Sequence, residues 1–387
     1  MKFFLSGLTA LVLFIVACLA VLPNTGVLDQ LVWRMPAAPV DANGQNLAQR
    51  LGYHKDAKLL IVNSDDTGGN PTFTHGIEDV MTKGLVKSTS IIVHDRNGDE
   101  LERIANLSKA NPDWGFGIHL MLTNEYQARY PWAPVLPKSQ VPSLYNDQGL
   151  AWEKIREVEQ FVNPDHAKLE FIAQIQTALD AGIDVTHIDS HMGTYYRQSH
   201  FKGASPDGLI RAAMAAAKHF NIPMTINTFD QKLEAAMLDA DASGVIRPDV
   251  FFGFYELEEM NSHLSYQGSW IQKAATAWVV KNVFGFELPY ENKKLVLHDI
   301  KDRMAIYKLA IKNVAKPGLN HIFIHAAAEH DDGFQIPSGM NHDMGVDKVV
   351  RLGDSHVWSN DDMKQFLQDE GVILINYQRL RDLQRGD

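Results

Sequence analysis

Four short apolar segments of this chain each end in aspartate or histidine, and this pattern constrains the fold more than any other feature. The segments are 59–68 (LLIVNSDDTG), 115–119 (GFGIH), 185–191 (VTHIDSH) and 321–325 (HIFIH). In parallel α/β folds the reactive side chains gather at the carboxyl ends of the strands. Four such endings therefore predict one shared site, and aspartate with two histidines is a typical set of metal ligands.

The remaining sequence predicts strands that alternate with helices. Predicted strands are 59–63, 89–94, 115–120, 185–188, 224–227, 322–325 and 372–376, and helical periodicity is clear before 84 and before 317. Repeated strand–helix units indicate a parallel sheet. About seven units favour a barrel over an open sheet. We therefore expect an α/β fold with a parallel β/α barrel, either TIM-like or distorted to seven strands, in a single catalytic domain.

The amino terminus differs from the rest of the chain. Residues 3–22 carry no charge and follow Lys2, and a segment of that length can cross a bilayer. We predict a signal or membrane anchor at 1–22, a linker at 23–46 and the catalytic domain at 47–387. The protein is then exported to a periplasmic or other extracytoplasmic location. The single cysteine, Cys18, lies within the apolar segment, so a lipoprotein is a further form of the anchor.

The charge balance limits the class of partner. The formal net charge is −11, and no basic stripe is present to neutralise phosphates, which argues against a nucleic-acid partner. Membrane contact is expected only through the amino-terminal segment if it is uncleaved. A neutral or cationic substrate fits better, and the sequence leaves homo-oligomerisation open.

The four strand endings predict specific roles. A divalent metal held by one carboxylate and two imidazoles keeps open positions for water and substrate, as in hydrolytic sites. We assign Asp66, His119 and His191 as ligands and the adjacent Asp65 as general base. The flexible 67–69 segment (TGG) is expected to let both carboxylates point inward. His325 ends a separate apolar segment and is the candidate general acid.

Three further residues are candidates for ligand orientation or substrate binding. Asp189 could orient a ligand imidazole from behind or face the helix layer, and His187 lies two residues earlier. Trp132 belongs to the long aromatic segment 124–152, which would suit stacking on sugar faces or would form a lid that merely packs on the barrel. The histidines that lack a strand-end position are expected on the surface or in loops: His94, His200, His330, His342 and His356.

Three motifs carry a resemblance to a known family. The segments 63–68 (NSDDTG), 117–123 (GIHLMLT) and 186–191 (THIDSH) resemble those of the YdjC-like carbohydrate deacetylases, which include chitooligosaccharide deacetylases and are distantly similar to polysaccharide deacetylases. The resemblance implies a β/α barrel that removes acetyl groups from N-acetylated sugars. It also implies a divalent metal (Zn or Mg, with Mn, Co and Ni as alternatives) and the same roles for Asp65, Asp66, His119 and His191.

Two departures and two competing functions accompany this interpretation. The family-like His-Pro is here His325-Ala, and the third motif continues with 192–196 (MGTYY) instead of further histidines.

One alternative function is a non-catalytic, glycan-binding barrel of the cell envelope. Another is hydrolysis of a different bond such as a phosphodiester, which we disfavour because no Arg or Lys lies near the motifs in the sequence.

Overall fold

The computed structural model describes residues 40–196, 208–228, 233–253, 290–291, 294–295, 300–328 and 346–387. The predicted anchor, most of the linker, and His200, His330 and His342 lie outside these residues, so those predictions remain predictions. Across the described ranges, no helix combines the length and apolar character needed to span a membrane.

Strands and helices alternate along most of the described chain. The strands are β1 (Lys58–Thr67), β2 (Ser88–Ile91), β3 (Gly115–Leu120), β4 (Val185–Ser190), β5 (Val250–Gly253), β6 (Tyr290–Glu291), β7 (Lys294–Leu295), β8 (Gly318–Ile324) and β9 (Val372–Leu374). The α-helices are α1 (Leu47–Arg50), α2 (Pro71–Thr82), α3 (Gly98–Ala110), α4 (Ile155–Phe161), α5 (Pro164–Asp180), α6 (Gly208–Phe220), α7 (Glu234–Ala242), α8 (Ile300–Val314), α9 (Val346–Trp358), α10 (Asp361–Asp369) and α11 (Tyr377–Arg385). The predicted parallel α/β organisation is confirmed.

Seven of these strands form one parallel sheet. Its order is β4-β3-β2-β1-β8-β5, and β9 pairs with the first residues of β1. The longest pairing joins β1 to β8, from Lys58 opposite Gly318 to Ser64 opposite Ile324. Strands β6 and β7 form a separate antiparallel pair. The carboxyl ends of β1, β2, β3, β4 and β8 therefore lie at one edge of the sheet.

The prediction of a closed barrel is wrong. The sheet curls into a half-barrel whose edge strands, β4 and β5, are not paired with each other. The predicted strand at 224–227 lies between them but forms only an isolated bridge, from Met224 to Ile188. On its other side, Met224 N donates to Ile246 O. Pro223, at the start of this segment, has no amide hydrogen to donate. These contacts are too few to continue the ladder.

The helices pack their apolar faces on the sheet, as their periodicity predicts. Ile77, Val80 and Met81 of α2 are buried, as are Tyr307 and Ile311 of α8. Helix α2 starts directly after β1 because the Asn70 side chain accepts from Phe73 N and Pro71 occupies the first turn. This short connection fixes the end of β1, which carries the two candidate carboxylates.

Candidate metal centre

Both carboxylates at the end of β1 approach the same histidine, His119. Neighbouring residues of a regular strand point to opposite sides, but Asp66 has a left-handed backbone with φ +74°. The register with β2 also shifts between Ser64 and Thr67. We expected the freedom to come from 67–69, yet the turn begins at Asp66 itself. Such strain in a non-glycine residue is typical of functional sites.

Three predicted ligands meet at this edge. Asp66 Oδ1 lies 3.4 Å from His119 Nε2 and 3.2 Å from His191 Nδ1, and one ligand atom from each residue lies within 4.8 Å of the other two. All three residues are about 2% exposed. Within the described part of the chain, no donor hydrogen-bonds the buried Asp66 Oδ1, and buried oxygens are normally partnered. One carboxylate oxygen and two imidazole nitrogens fit a divalent cation.

Each candidate imidazole hydrogen-bonds a second carboxylate through the nitrogen that does not face Asp66. His119 Nδ1 donates to Asp189 Oδ1 at 2.6 Å, and His191 Nε2 donates to Glu125 Oε2 at 2.9 Å. Asp189 therefore orients an imidazole, as one of its predicted roles requires, although the imidazole is that of His119. Glu125 was missed because it lies in the loop after β3, where no strand-end pattern marks it. Such outer partners fix which nitrogen faces a metal.

These carboxylates also determine the charge of the imidazoles. Burial lowers the pKa of His119, but the Asp189 and Asp65 carboxylates outweigh it and raise the pKa well above its usual value. Burial likewise opposes the charge of His191, yet Glu125 and Asp66 raise its pKa to about 9. Since a metal binds neutral imidazole, binding of a metal by these two rings would release protons.

Asp65 is held beside the ligands by Asn63. The Asn63 amide donates to Asp65 Oδ1 at 2.8 Å and to Asp189 Oδ2 at 3.1 Å. Asp65 Oδ2 lies 4.0 Å from His119 Nε2, so this oxygen faces the same space as Asp66. Burial and the Asp189 carboxylate raise the pKa of Asp65 well above its usual value. Asp65 therefore lies beside the candidate metal ligands, in the position that the predicted general base requires.

An arginine lies in the site, contrary to the sequence argument that none is near. Arg351 of α9 donates from Nη2 to Asp66 Oδ2 at 2.6 Å and to the Tyr126 hydroxyl at 3.1 Å, and its guanidinium lies 3.7 Å over the Phe73 ring. Burial would raise the pKa of Asp66, but the Arg351 charge and the two imidazoles hold it well below its usual value. The sequence signal was absent because α9 is distant along the chain.

His325 lies on the side of Asp66 that Arg351 contacts. Its Nε2 atom is 3.9 Å from Asp66 Oδ2, and its side chain is 15% exposed, more than those of the candidate ligands. The following backbone is held tightly by other elements. The hydrogen bonds run from His325 N to Asp354 Oδ2, from Ala326 N to Ser64 Oγ, from Ala327 N to Ser355 Oγ and from Ala328 N to Thr72 O.

Two predicted site residues lie apart from this cluster. His187 is fully buried and stacks on Tyr377 with ring centroids 3.6 Å apart. Trp132 is 1% exposed and stacks on His94 at 5.0 Å, so its ring is not open to a sugar, and His94 is largely buried and not a surface residue. On its loop, Trp132 lies next to Tyr126, with ring centroids 6.5 Å apart. His356 is exposed, as predicted.

Comparison with known proteins assigns the family. Residues 59–369 match the YdjC-like protein family. The chain belongs to this family. A carbohydrate deacetylase of Enterococcus faecalis is 23% identical over 323 residues, which cover 84% of this chain and 98% of that protein. One from Thermoanaerobacter pseudethanolicus is 28% identical over 175 residues, which cover 45% of this chain and 63% of that protein.

A solved structure supports the fold of this YdjC-like protein. A protein of Enterococcus faecalis described as a cellobiose-phosphate cleavage protein superimposes with a TM-score of 0.56 at 21% identity. The alignment covers 84% of this chain and 99% of that chain. At this level of identity the likeness concerns the fold alone.

Proposed function

We propose that this protein is a metal-dependent hydrolase that removes the acetyl group from an N-acetylated saccharide. Family membership and the carbohydrate deacetylases among its relatives support a hydrolase acting on an acetylated sugar. The observation that carries the proposal is the buried Asp66 Oδ1 atom, which faces imidazole nitrogens of His119 and His191 at 3.4 and 3.2 Å and receives no hydrogen bond of normal geometry among the described residues.

The residues around this atom divide the chemistry between them. Asp66, His119 and His191 would hold the cation, which when bound would acidify a water molecule and polarise the acetyl carbonyl. Asp65 takes the proton from the attacking water, because its Oδ2 atom faces the ligands while Asn63 holds Oδ1. Water oxygen bonds to the carbonyl carbon, the C–N bond breaks, and the products are acetate and a free amine.

The departing amine needs a proton. His325 supplies it in this proposal, since its Nε2 atom is close to Asp66 and its side chain is the most exposed among the six clustered residues Asp65, Asp66, His119, Asp189, His191 and His325. The four consecutive backbone hydrogen bonds after β8 hold the backbone that carries this ring. A fixed donor reduces the reorganisation that proton transfer requires.

Arg351 does not favour a phosphodiesterase. A phosphate clamp would direct guanidinium donors at the substrate, whereas Arg351 donates to Asp66 Oδ2 and Tyr126 and stacks on Phe73. We assign it to holding Asp66. Zn or Mg is the proposed metal, with Mn, Co and Ni as alternatives. From the apolar 3–22 segment, we also propose export and an envelope or environmental glycan as substrate.

The test is acetate release from a panel of N-acetylated oligosaccharides by the full-length chain. The chain is stripped with chelator, assayed, and assayed again after Zn²⁺ or Mg²⁺ is added. We expect release only with metal, and loss of release in Asp65→Asn. Asp113→Asn, which changes an exposed aspartate, is the matched control. Metal-independent release would refute the mechanism. Oligosaccharide binding without acetate release, unchanged by Asp65→Asn, would support the glycan-binding alternative.

A further inference from the structure

Glu125 reaches the centre from outside the sheet. It lies in the loop after β3, its side chain is 4% exposed, and its Oε2 atom is 2.9 Å from His191 Nε2. An ionised carboxylate can only accept a hydrogen bond. His191 Nε2 must therefore carry the hydrogen, and Nδ1 is the nitrogen left to face Asp66 Oδ1 at 3.2 Å.

The other candidate ligand has the opposite arrangement. Asp189 accepts from His119 Nδ1, so His119 presents Nε2 to the site. One centre thus uses Nε2 of one histidine and Nδ1 of the other. Without a carboxylate, the His191 ring would lose the partner that selects this nitrogen, because either tautomer of a neutral imidazole is accessible.

The loop that carries Glu125 is braced on both sides. The Asn124 side chain accepts from Tyr126 N at 3.0 Å and donates to Tyr130 O at 2.8 Å, and Asn124 N donates to Trp152 O at 2.7 Å. Tyr126 in turn accepts from Arg351, which holds Asp66. Two consecutive loop residues therefore contact neighbours of Asp66: Glu125 contacts His191, and Tyr126 contacts Arg351.

We infer that Glu125 is a positioning residue that selects His191 Nδ1 as the metal-facing atom. The inference rests on the proposed function, because it assumes that Asp66, His119 and His191 hold a metal. It gives the loop after β3 a role at the candidate metal centre, whereas the sequence predicted that this loop either stacks on sugar faces or forms a lid. Glu125→Asp keeps the negative charge on a shorter side chain, whereas Glu125→Gln keeps the length and an acceptor oxygen but removes the charge. Together the two variants separate the effect of the hydrogen bond from that of the charge.

The experiment measures Zn²⁺ affinity of the full-length chain by competition with a chromophoric chelator. We expect Glu125→Ala to bind Zn²⁺ about 10–100-fold more weakly than the wild type, the usual cost of losing an outer partner of a metal ligand. Glu125→Gln should restore most of the affinity, because its amide oxygen can accept the same hydrogen bond. Glu125→Asp should bind more weakly, because the shorter side chain withdraws the carboxylate from Nε2.

Glu153→Ala is the control, since it removes an exposed charge from the same loop and should bind Zn²⁺ like the wild type. If Glu125→Ala fails to fold in a thermal melt, the Gln and Asp variants decide the question. Wild-type affinity in Glu125→Ala or Glu125→Asp would overturn the inference and leave the proposed function intact. So would equal losses in Glu125→Gln and Glu125→Ala. Absence of Zn²⁺ and Mg²⁺ binding by the wild type would overturn the proposed function and, with it, the inference.

Discussion

Two pairs of buried histidines on or directly after the strands of this sheet have opposite surroundings. His119 and His191 each donate to a carboxylate, Asp189 and Glu125 respectively. Their remaining nitrogens face a third carboxylate, that of Asp66. The carboxylates overcome burial and raise the pKa of both rings.

The second pair consists of His187 on β4 and His321 on β8. Both contact Tyr377, which stacks on His187 and hydrogen-bonds His321 Nδ1 at 2.7 Å. Among the described residues, neither Nε2 atom has a hydrogen-bond partner. Burial lowers the pKa of His321 to about 3, and burial together with His321 lowers that of His187 well below its usual value.

The contrast shows what distinguishes a candidate ligand from a structural histidine. All four rings are buried, so burial does not separate the pairs. Position along a strand does not separate them either. His187 lies two residues before Asp189 on β4, so both residues belong to the same face of the strand. The difference is a carboxylate on each side of the ring. We conclude that the tertiary partners, and not the location of the histidine in the sequence, distinguish the candidate metal ligands from the other buried histidines.

The largest expected effect comes from removing a candidate ligand. His119→Ala should lower acetate release at least about 100-fold, because losing a ligand should exceed the 10–100-fold effect of losing an outer partner. His187→Phe should keep the wild-type rate, since the ring stack on Tyr377 is retained. Parallel acetate assays with added Zn²⁺ measure both. Equal losses of acetate release in the two variants would contradict the distinction between the two histidine pairs.

Removing a carboxylate should have a smaller effect. Asp189→Asn should weaken Zn²⁺ binding about 10–100-fold, because His119 loses the acceptor that holds its Nδ1 hydrogen. Chelator competition measures the affinity. The control is Asp184→Asn, which changes a largely exposed aspartate directly before the same strand. Unchanged affinity in Asp189→Asn would mean that the carboxylate does not orient the imidazole.

The deeper pair should affect stability instead of metal binding. At Gly117 an added Cβ would lie 2.3 Å from His187 Cε1, so Gly117→Ala should destabilise the fold by about 1–3 kcal/mol. Combining it with His187→Ala should cost less than the sum of the single changes, because the clash is removed. Urea unfolding measures all three chains. Gly98→Ala, which has open space, is the control, and strict additivity would contradict the contact.

The smallest expected effect is a pH dependence of stability. The folded pKa of His321, about 3, lies below its unfolded value near 6.5, so the unfolded chain binds more protons and stability falls as the pH falls below 6.5. At pH 5.5 this loss is about 1 kcal/mol. His321→Asn keeps an acceptor for Tyr377 and should reduce the loss between pH 7.5 and 5.5. An identical loss in the variant would show that His321 does not titrate as described.

Local sequence patterns predicted the elements that carry the candidate ligands, and one of the partners, Asp189, but not the other partners. The strand endings correctly brought Asp65, Asp66, His119, His191 and His325 together, because parallel strands end at one edge. Closure was mispredicted at 224–227, where an apolar segment makes one bridge instead of a ladder. Glu125 and Arg351 reach the site from a loop and a distant helix. No local periodicity encodes such contacts.

The central claim is that Asp66, His119 and His191 hold one divalent metal. The most direct measurement is the Zn²⁺ content per full-length chain after dialysis, for the wild type, His191→Ala and His321→Asn side by side. We expect about one Zn²⁺ in the wild type and in His321→Asn, and none in His191→Ala, because three ligands are the usual protein complement of such a centre. Retention of Zn²⁺ by His191→Ala, or its loss from His321→Asn, would contradict the account.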